Sequence, residues 1–288
     1  MPAWAFPLLC VCLLLSGFAG LLYETLWARF LYLYLGHTSH AQAIVLSVFM
    51  GGIALGSATL GRWADRLGAK AAPASTYYLL TAYAWMEILI GFYCGLYPDL
   101  FKRMSTVYTI IGERWYEQWP GAVTGLKAAF SVLTMLIPTF LMGGTIPVLV
   151  RLFRPAGNAI GRTAGWLNAA NTIGAVAGTL LAGFYLIEKT GLSLSMYVGA
   201  FANIFVGILV MGFRRKIVGS VQAAPPPPPR PSGEAAYGEG RQSLALAGIF
   251  ISGFASFALE VLWARVIGLS LGSSVYALSQ KGASSEAA

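Results

Sequence analysis

Long apolar runs separated by short polar stretches dominate the pattern of this chain. Hydropathy predicts seven such segments, at about residues 4–35, 41–60, 77–98, 122–150, 163–187, 192–213 and 243–279. A helix needs roughly 20 apolar residues to cross a membrane, whereas the strands of a membrane barrel form short alternating segments. The pattern therefore predicts an all-α integral membrane protein with about seven transmembrane helices.

Composition supports this prediction. Hydrophobic residues make up 57% of the chain and charged residues 10%, whereas about 25% of the residues in ordinary soluble domains are charged. The first apolar run begins at Trp4 with no Lys or Arg before it, which does not fit a cleaved signal peptide. We expect this run to remain in the protein as a membrane helix.

The basic residues predict the orientation of the helices. Eleven Lys and Arg residues follow the second, fourth and sixth segments, and four fall in the loops on the opposite side. Because cytoplasmic loops carry the excess of basic residues, we expect the N-terminus and the even-numbered loops to face the cytoplasm of a cell membrane. The same rule accounts for the net charge of +8, so a nucleic-acid partner is not expected.

An internal repeat relates the two ends of the chain. Residues 16–36 align without a gap to residues 252–272, and twelve of the 21 aligned residues are identical. Six predicted spans precede the second copy, so both copies enter the membrane from the same side and form a parallel repeat. We expect a six-helix domain at 1–213, a Pro-rich basic cytoplasmic linker at 214–241, and the start of a second repeat at 242–288.

The second repeat is expected to continue into an eighth apolar helix, but the last residues are polar and small. We expect a truncated product or a piece of a longer protein. A second copy of the chain, or a separate membrane or catalytic partner, would then complete a two-half assembly.

Charged residues inside the predicted spans are candidates for function. Glu24 and Arg29 are five residues apart, about 140° around a helix, and therefore do not pair on one face. The repeat gives Glu260 and Arg265 as their equivalents. One hypothesis is a crossed pairing of Glu24 with Arg265 and of Glu260 with Arg29; alternatively, the arginines reach the lipid headgroups and the glutamates bond to backbone or water.

Glu87 is the other carboxylate deep in a predicted span. With Glu24 and Glu260 it could line a path for cations or protons. The alternative is a packing residue held by hydrogen bonds, and the sequence does not decide between the two.

Small and amide residues in the fifth segment predict close helix packing. Gly174 and Gly178 have the four-residue spacing that lets helices approach closely. Asn168 and Asn171 share one helical face, and we expect interhelical hydrogen bonds there. Trp27 and its repeat equivalent Trp263 are likewise expected to pack between helices.

Two further stretches leave alternatives open. Four residues that weaken helices interrupt the fourth segment and predict either a broken helix or a packing bend: Pro138, Gly143, Gly144 and Pro147. Residues 99–121 predict either an amphipathic segment at the headgroups or a solvated loop. His37 and His40 lack the further ligands of a metal site, so no metal and no other cofactor is expected.

The loop after the second segment carries a motif with a glycine at each end of a charged turn. Its residues are Gly61, Asp65, Arg66, Gly68 and Lys70. This motif resembles the loop motif of the major facilitator superfamily, and the first six helices then correspond to one half of such a transporter. The resemblance implies that the acidic residue and its basic neighbours form a gate on the cytoplasmic face.

Four stretches resemble, as an ordered set, the membrane region of spermidine synthase-like proteins of the polyamine aminopropyltransferase family. They are "SGFAGLLYETLWARFLYLYLGHTSHA", "VFMGGIALGSATLGRWADRLG", "PTFLMGGTIPVLVRL" and "NAANTIGAVAGTLLAGFYLIEKTGL". The resemblance implies helices that accompany a soluble catalytic domain. The glycine-rich turn and acidic pocket of that domain do not occur here, so we assign no catalytic residue and do not expect this chain to be an enzyme by itself.

Two functions remain as hypotheses. The first is transport of, or membrane coupling to, a cationic solute such as a polyamine. The second is a non-transporting membrane anchor or assembly module for an aminopropyltransferase domain. In both, the lipid bilayer is the surrounding partner.

Overall fold

The computed structural model describes residues 2–35, 39–68, 73–115, 120–153, 159–221 and 243–256, with five further residues up to Val266. Every regular element in these ranges is helical. The elements are α1 (Ala5–Leu35), α2 (Ser39–Gly68), α3 (Ala74–Trp115), α4 (Pro120–Phe153), α5 (Ala159–Leu181), a π-helical turn (Ala182–Leu186) and α6 (Ile187–Gly219).

Within the described residues, five helical stretches are long and apolar enough to cross a membrane: Ala5–Leu31, Ile44–Gly68, Ala74–Thr106, Ala129–Phe153 and Gly161–Gly219. The chain is thus a multi-pass membrane protein. The fifth stretch contains Gly191 at φ 76° and ψ 176°, a non-helical conformation that glycine adopts readily. The described residues do not establish the predicted number of seven spans.

Packing partners give the direction of each helix. Gly174 and Gly178 lie against Leu14 and Phe18, so α5 runs parallel to α1. The side chain of Tyr23 lies against Gly199, and the ring of Trp4 lies 5.9 Å from that of Phe213, so α6 runs antiparallel to α1. Helices α5 and α6 are therefore antiparallel, and the chain reverses at Gly191.

The helices pack in an order that repeats after three. The most extensive contacts join α1 to α5, α2 to α4 and α3 to α6. Exchanging α1 with α4, α2 with α5 and α3 with α6 leaves this pairing unchanged. Because three helices separate the equivalents, the two halves of the bundle have opposite directions, as in an inverted repeat.

Individual contacts follow the same exchange. The backbone at Gly91 of α3 lies against Ala200 and Ile204, and the backbone at Gly207 of α6 lies against Ala84 and Ile88. The equivalent positions are Gly91 and Gly207, Ala84 and Ala200, and Ile88 and Ile204, and the two members of each pair are the same number of residues apart. The α3–α6 contact is therefore symmetric in its packing, with a small residue on each helix at both crossing points.

The outer face of α3 is apolar in the way a lipid-facing helix requires. Trp85, Leu89, Phe92 and Leu96 recur at helical spacing and are 46% to 60% exposed. Residues on the opposite face, including Tyr83 and Glu87, are buried. Since water would disfavour such an exposed apolar stripe, it is consistent with contact to lipid.

Two expectations about local structure need correction. The helix α3 continues to Trp115, so the solvated-loop alternative for residues 99–121 is wrong as far as Trp115. The helix α4 runs unbroken through Pro138 and Pro147, so the broken-helix alternative is also wrong. In α4 the hydroxyls of Thr134, Thr139 and Thr145 bond to backbone carbonyls in the preceding turn.

The chain divides into two compact units, residues 1–226 and residues 227–288. In the second unit the structure describes an apolar helix at Ser243–Ser256 and helical backbone at Leu262 and Trp263. About half of the predicted 243–279 span, including Glu260 and Arg265, lies outside the described residues. The crossed pairing with Glu24 and Arg29 therefore stays a prediction.

Candidate solute cavity and a buried polar network

A cavity of about 770 Å³ lies between α1, α2, α4 and α5. Its volume falls in the range of about 300 to 1,000 Å³ that is typical of small-molecule sites. We call it the four-helix cavity and define it by these lining residues: Ser16, Gly17, Gly20, Leu21, Phe49, Met50, Ile53, Ser57, Gly61, Asp65, Met142, Gly143, Thr145, Ile146, Pro147, Val150, Arg151, Asn168, Asn171 and Ala175.

Glycine contacts hold two helix pairs on either side of this cavity. A Cβ at Gly178 would overlap the carbonyl of Phe18, and a Cβ at Gly56 would overlap the carbonyl of Phe140. The pair α1 and α5, like the pair α2 and α4, therefore packs with backbones in direct contact. Contacts between the two pairs are sparse by comparison, which leaves the space that the cavity occupies.

The polar lining is mostly neutral. Asn168 and Asn171 of α5 both line the cavity, as do the hydroxyl residues Ser16, Ser57 and Thr145. The two asparagines were expected to lie on one face of the helix, and both contribute to the lining of this cavity. Apolar side chains of α2 and α4 fill most of the remaining lining.

An ion pair lies at the end of the cavity formed by the C-terminal turns of α2 and α4. Nε of Arg151 is 3.4 Å from Oδ1 of Asp65. The absence of a side chain at Gly68 allows Arg151 to lie against α2, because a Cβ there would overlap the arginine. Both charged side chains are partly exposed, at 35% and 72%, so the pair contributes about 1 kcal/mol or less to stability.

Other residues of the predicted gate motif have different positions. Gly61 lines the cavity, and Arg66 is exposed on α2. Lys70 lies outside the described residues. Sequence reasoning assigned Arg151 to a loop and missed its role, because nothing in the spacing of the residues links it to Asp65.

Glu24 lies next to the cavity along α1. It is partly buried, and it follows Gly17, Gly20 and Leu21 at intervals of seven, four and three residues, which keeps it on the same helix face. Its carboxyl is thus one turn beyond the lining. Arg29 is exposed and lies on another face.

Glu87 lies behind the cavity rather than on it. It is fully buried, and its Oε2 accepts a hydrogen bond of 2.5 Å from Nδ2 of Asn203. Oδ1 of Asn203 in turn accepts a bond of 2.9 Å from the hydroxyl of Tyr23. Side chains from α1, α3 and α6 therefore form one polar network inside the bundle, which we call the Glu87 network.

Two more hydroxyl groups belong to this network. Those of Ser16 and Tyr83 lie beside the Glu87 carboxyl. Sequence reasoning found Glu87 but missed its partners; the signal that could have found Asn203 is that it is an amide in the middle of the apolar helix α6. Trp27, predicted to pack between helices, is fully buried and lies against Tyr23, Phe49 and Tyr97.

The described residues contain no group of three or more metal-ligating side chains. Comparison with protein families, with curated proteins and with solved structures finds no match to this chain.

Proposed function

We propose that this protein binds a cationic solute of the polyamine class in the four-helix cavity and carries it across the membrane. The observation that carries the proposal is the cavity itself, a space of about 770 Å³ inside a bundle of membrane-spanning helices. Its lining combines amides and hydroxyls, which can hydrogen-bond an amine, with apolar side chains that suit a methylene chain.

The charges near the cavity support a cation rather than an anion. The formal charges of Asp65 and Arg151 cancel in their ion pair. Glu24, one turn further along α1, brings a carboxylate to that side of the helix. A carboxylate at membrane depth usually faces a cavity or a partner and marks a path for ions or protons.

The packing supports movement of the two helix pairs relative to each other. Within each pair the backbones touch at glycines, whereas the contacts across the cavity are sparse. Each pair can therefore move as a unit and change the access to the cavity. The resemblance to spermidine synthase-like membrane regions supports the choice of polyamine, and the distribution of Lys and Arg supports a cytoplasmic N-terminus.

Equilibrium binding of labelled spermidine to the full chain in lipid nanodiscs tests this proposal. We expect saturable binding that weakens about ten-fold or more in Glu24→Gln, because the variant removes a charged hydrogen-bond acceptor worth about 1.5 to 3 kcal/mol. Glu188→Gln is the matched control, since Glu188 is exposed outside the cavity, and it should bind as wild type does. Wild-type protein that binds no spermidine would contradict the proposal and favour the membrane anchor.

A further inference from the structure

The Glu87 network contains two buried polar atoms that lack a well-formed hydrogen bond. In the part of the chain that the structure describes, neither Oε1 of Glu87 nor the hydroxyl of Tyr83 has a hydrogen bond of good geometry. Both atoms are fully buried, and the two groups are neighbours. A single bond between them would satisfy both, and a proton on Oε1 would allow the carboxyl to donate it to the tyrosine oxygen.

The surroundings of Glu87 do not supply a compensating charge. The titratable groups that face it are Cys12 and Tyr23 of α1 and Tyr83 of α3, and the residue that faces it from α6 is the neutral Asn203. Among the described residues no Lys or Arg pairs with it. An ionised carboxylate held without a cation inside a membrane costs about 2.5 to 3.5 kcal/mol, which disfavours the ionised form of Glu87.

The network fixes how the carboxyl is held. Because Oδ1 of Asn203 accepts the Tyr23 hydroxyl, its Nδ2 points to Glu87 and donates to Oε2. This leaves Oε1 as the oxygen that can gain or lose a proton. The glutamate is therefore oriented by two helices that it does not belong to.

Ser16 connects this oxygen environment to the four-helix cavity. Its hydroxyl lies beside the Glu87 carboxyl, and the same residue lines the cavity. A serine hydroxyl can accept one proton and donate another, so it can pass a proton between a carboxyl and water.

We propose that Glu87 is a proton-binding site that exchanges its proton with the four-helix cavity through Ser16. On release, the proton passes to a water molecule in the cavity and Glu87 becomes a carboxylate; on uptake, both changes reverse. A cation in the cavity stabilises the carboxylate, so occupancy by a cation and protonation of Glu87 oppose each other. The exchange with a transported solute rests on the proposed function, whereas the proton site does not.

Infrared spectroscopy of the full chain in lipid tests the proton site without any solute. We expect wild type at neutral pH to have a carbonyl band of a protonated carboxylic acid that Glu87→Gln lacks. Glutamine keeps the shape of the side chain and an oxygen that can accept from Asn203. Glu188→Gln is the matched control and should retain the band; identical spectra for wild type and Glu87→Gln would overturn the proposal.

A cation fixed in the cavity tests the link independently of spermidine binding. In a Cys10→Ala, Ser57→Cys background, a thiol reagent carrying a trimethylammonium group places a positive charge in the cavity, and a neutral reagent of the same shape is the control. We expect only the charged reagent to remove most of the carbonyl band of protonated Glu87. Equal effects of both reagents would overturn the link between cavity and Glu87.

Ser16→Ala tests the route of the proton. We expect the band to be present in this variant but to respond to a pH jump at least about ten-fold more slowly than in wild type, because a positioned proton-transfer group has been removed. An unchanged rate would contradict transfer through Ser16.

Discussion

The first three helices and the last three share their packing positions but not their polar groups. Gly56 and Gly178 occupy equivalent places, each against a phenylalanine carbonyl of the partner helix, and Gly91 and Gly207 repeat each other's contacts. Yet Glu87 of α3 has Asn203 of α6 as its equivalent, and Glu24 of α1 has the apolar Ile146 of α4. The scaffold is thus present twice, whereas the carboxylates of the proposed site occur in the first half alone.

The two ends of the bundle differ in the same way. Asp65 and Arg151 form an ion pair at the end of α2 and α4. The exchange of α1 with α4 makes Arg29 the equivalent of Arg151. The exchange of α2 with α5 makes Glu188 the equivalent of Asp65, once the extra residue of the π-helical turn is counted. Arg29 and Glu188 are both described and exposed, and they form no ion pair. Equivalent charges therefore have different partners at the two ends.

The α3–α6 contact can be made symmetric by placing the same kind of side chain at positions 87 and 203. We expect the effect on stability to depend strongly on whether that side chain is a carboxyl or an amide. Asn203→Asp places two carboxyl groups in contact with no cation nearby, and we expect it to destabilise the protein by about 3 kcal/mol or more at neutral pH. The loss should shrink as the pH falls, because both groups can then be protonated. Thermal unfolding in detergent measures this effect.

The opposite change is the control for that prediction. Glu87→Gln puts an amide at both positions and keeps a bond with Asn203, so we expect a change within about 1 kcal/mol. Equal destabilisation by both variants would show that the carboxyl proton does not determine the stability of this contact.

Equivalent glycines should respond equally. Gly56→Ala and Gly178→Ala each bring a Cβ onto a backbone carbonyl, and we expect each to cost about 1 to 3 kcal/mol. Gly165→Ala is the matched control, because a Cβ there meets nothing within 4 Å, and it should be neutral or stabilising. Thermal unfolding of the three variants compares them, and a large loss in only one of the first two would break the equivalence.

The ion pair at one end should have the smallest effect. Asp65→Asn removes a partly exposed pair, and we expect a loss of stability of about 1 kcal/mol or less. Glu188→Gln at the other end should cause no measurable change, since no pair forms there. The unfolding midpoints of the two variants test this difference, and an equal shift in both would contradict it.

Periodicity and composition predicted much of this fold because they report directly on burial in lipid. The spacing of Gly174 and Gly178 identified a close helix contact, and Asn168 with Asn171 identified a polar face. The extent of α3 and the continuity of α4 were not predictable in the same way, because contacts with neighbouring helices can stabilise a helix through proline. The spacing of Gly174 and Gly178 also did not show which helix α5 contacts; only the structure identifies it as α1.

The candidate site depended even more on tertiary packing. Glu87 could be found as a carboxyl in an apolar run, but its contact with Asn203 arises only when α3 and α6 cross at Gly91 and Gly207. Likewise, Asp65 belongs to a recognisable motif, whereas Arg151 becomes its partner only because α2 and α4 run parallel. The spacing of residues along the sequence does not predict the contact of Glu87 with Asn203 or that of Asp65 with Arg151.

Uptake of labelled spermidine into proteoliposomes containing the full chain tests the central claim most directly. Gly20 lines the cavity, and a Cβ there meets nothing within 4 Å, so Gly20→Trp should place an indole ring in the cavity and obstruct it without disturbing the backbone. Gly165→Trp, outside the lining residues, is the matched control. We predict saturable uptake by wild type and Gly165→Trp and loss of uptake in Gly20→Trp; wild-type uptake no greater than that of empty liposomes, or unchanged uptake in Gly20→Trp, would contradict the account.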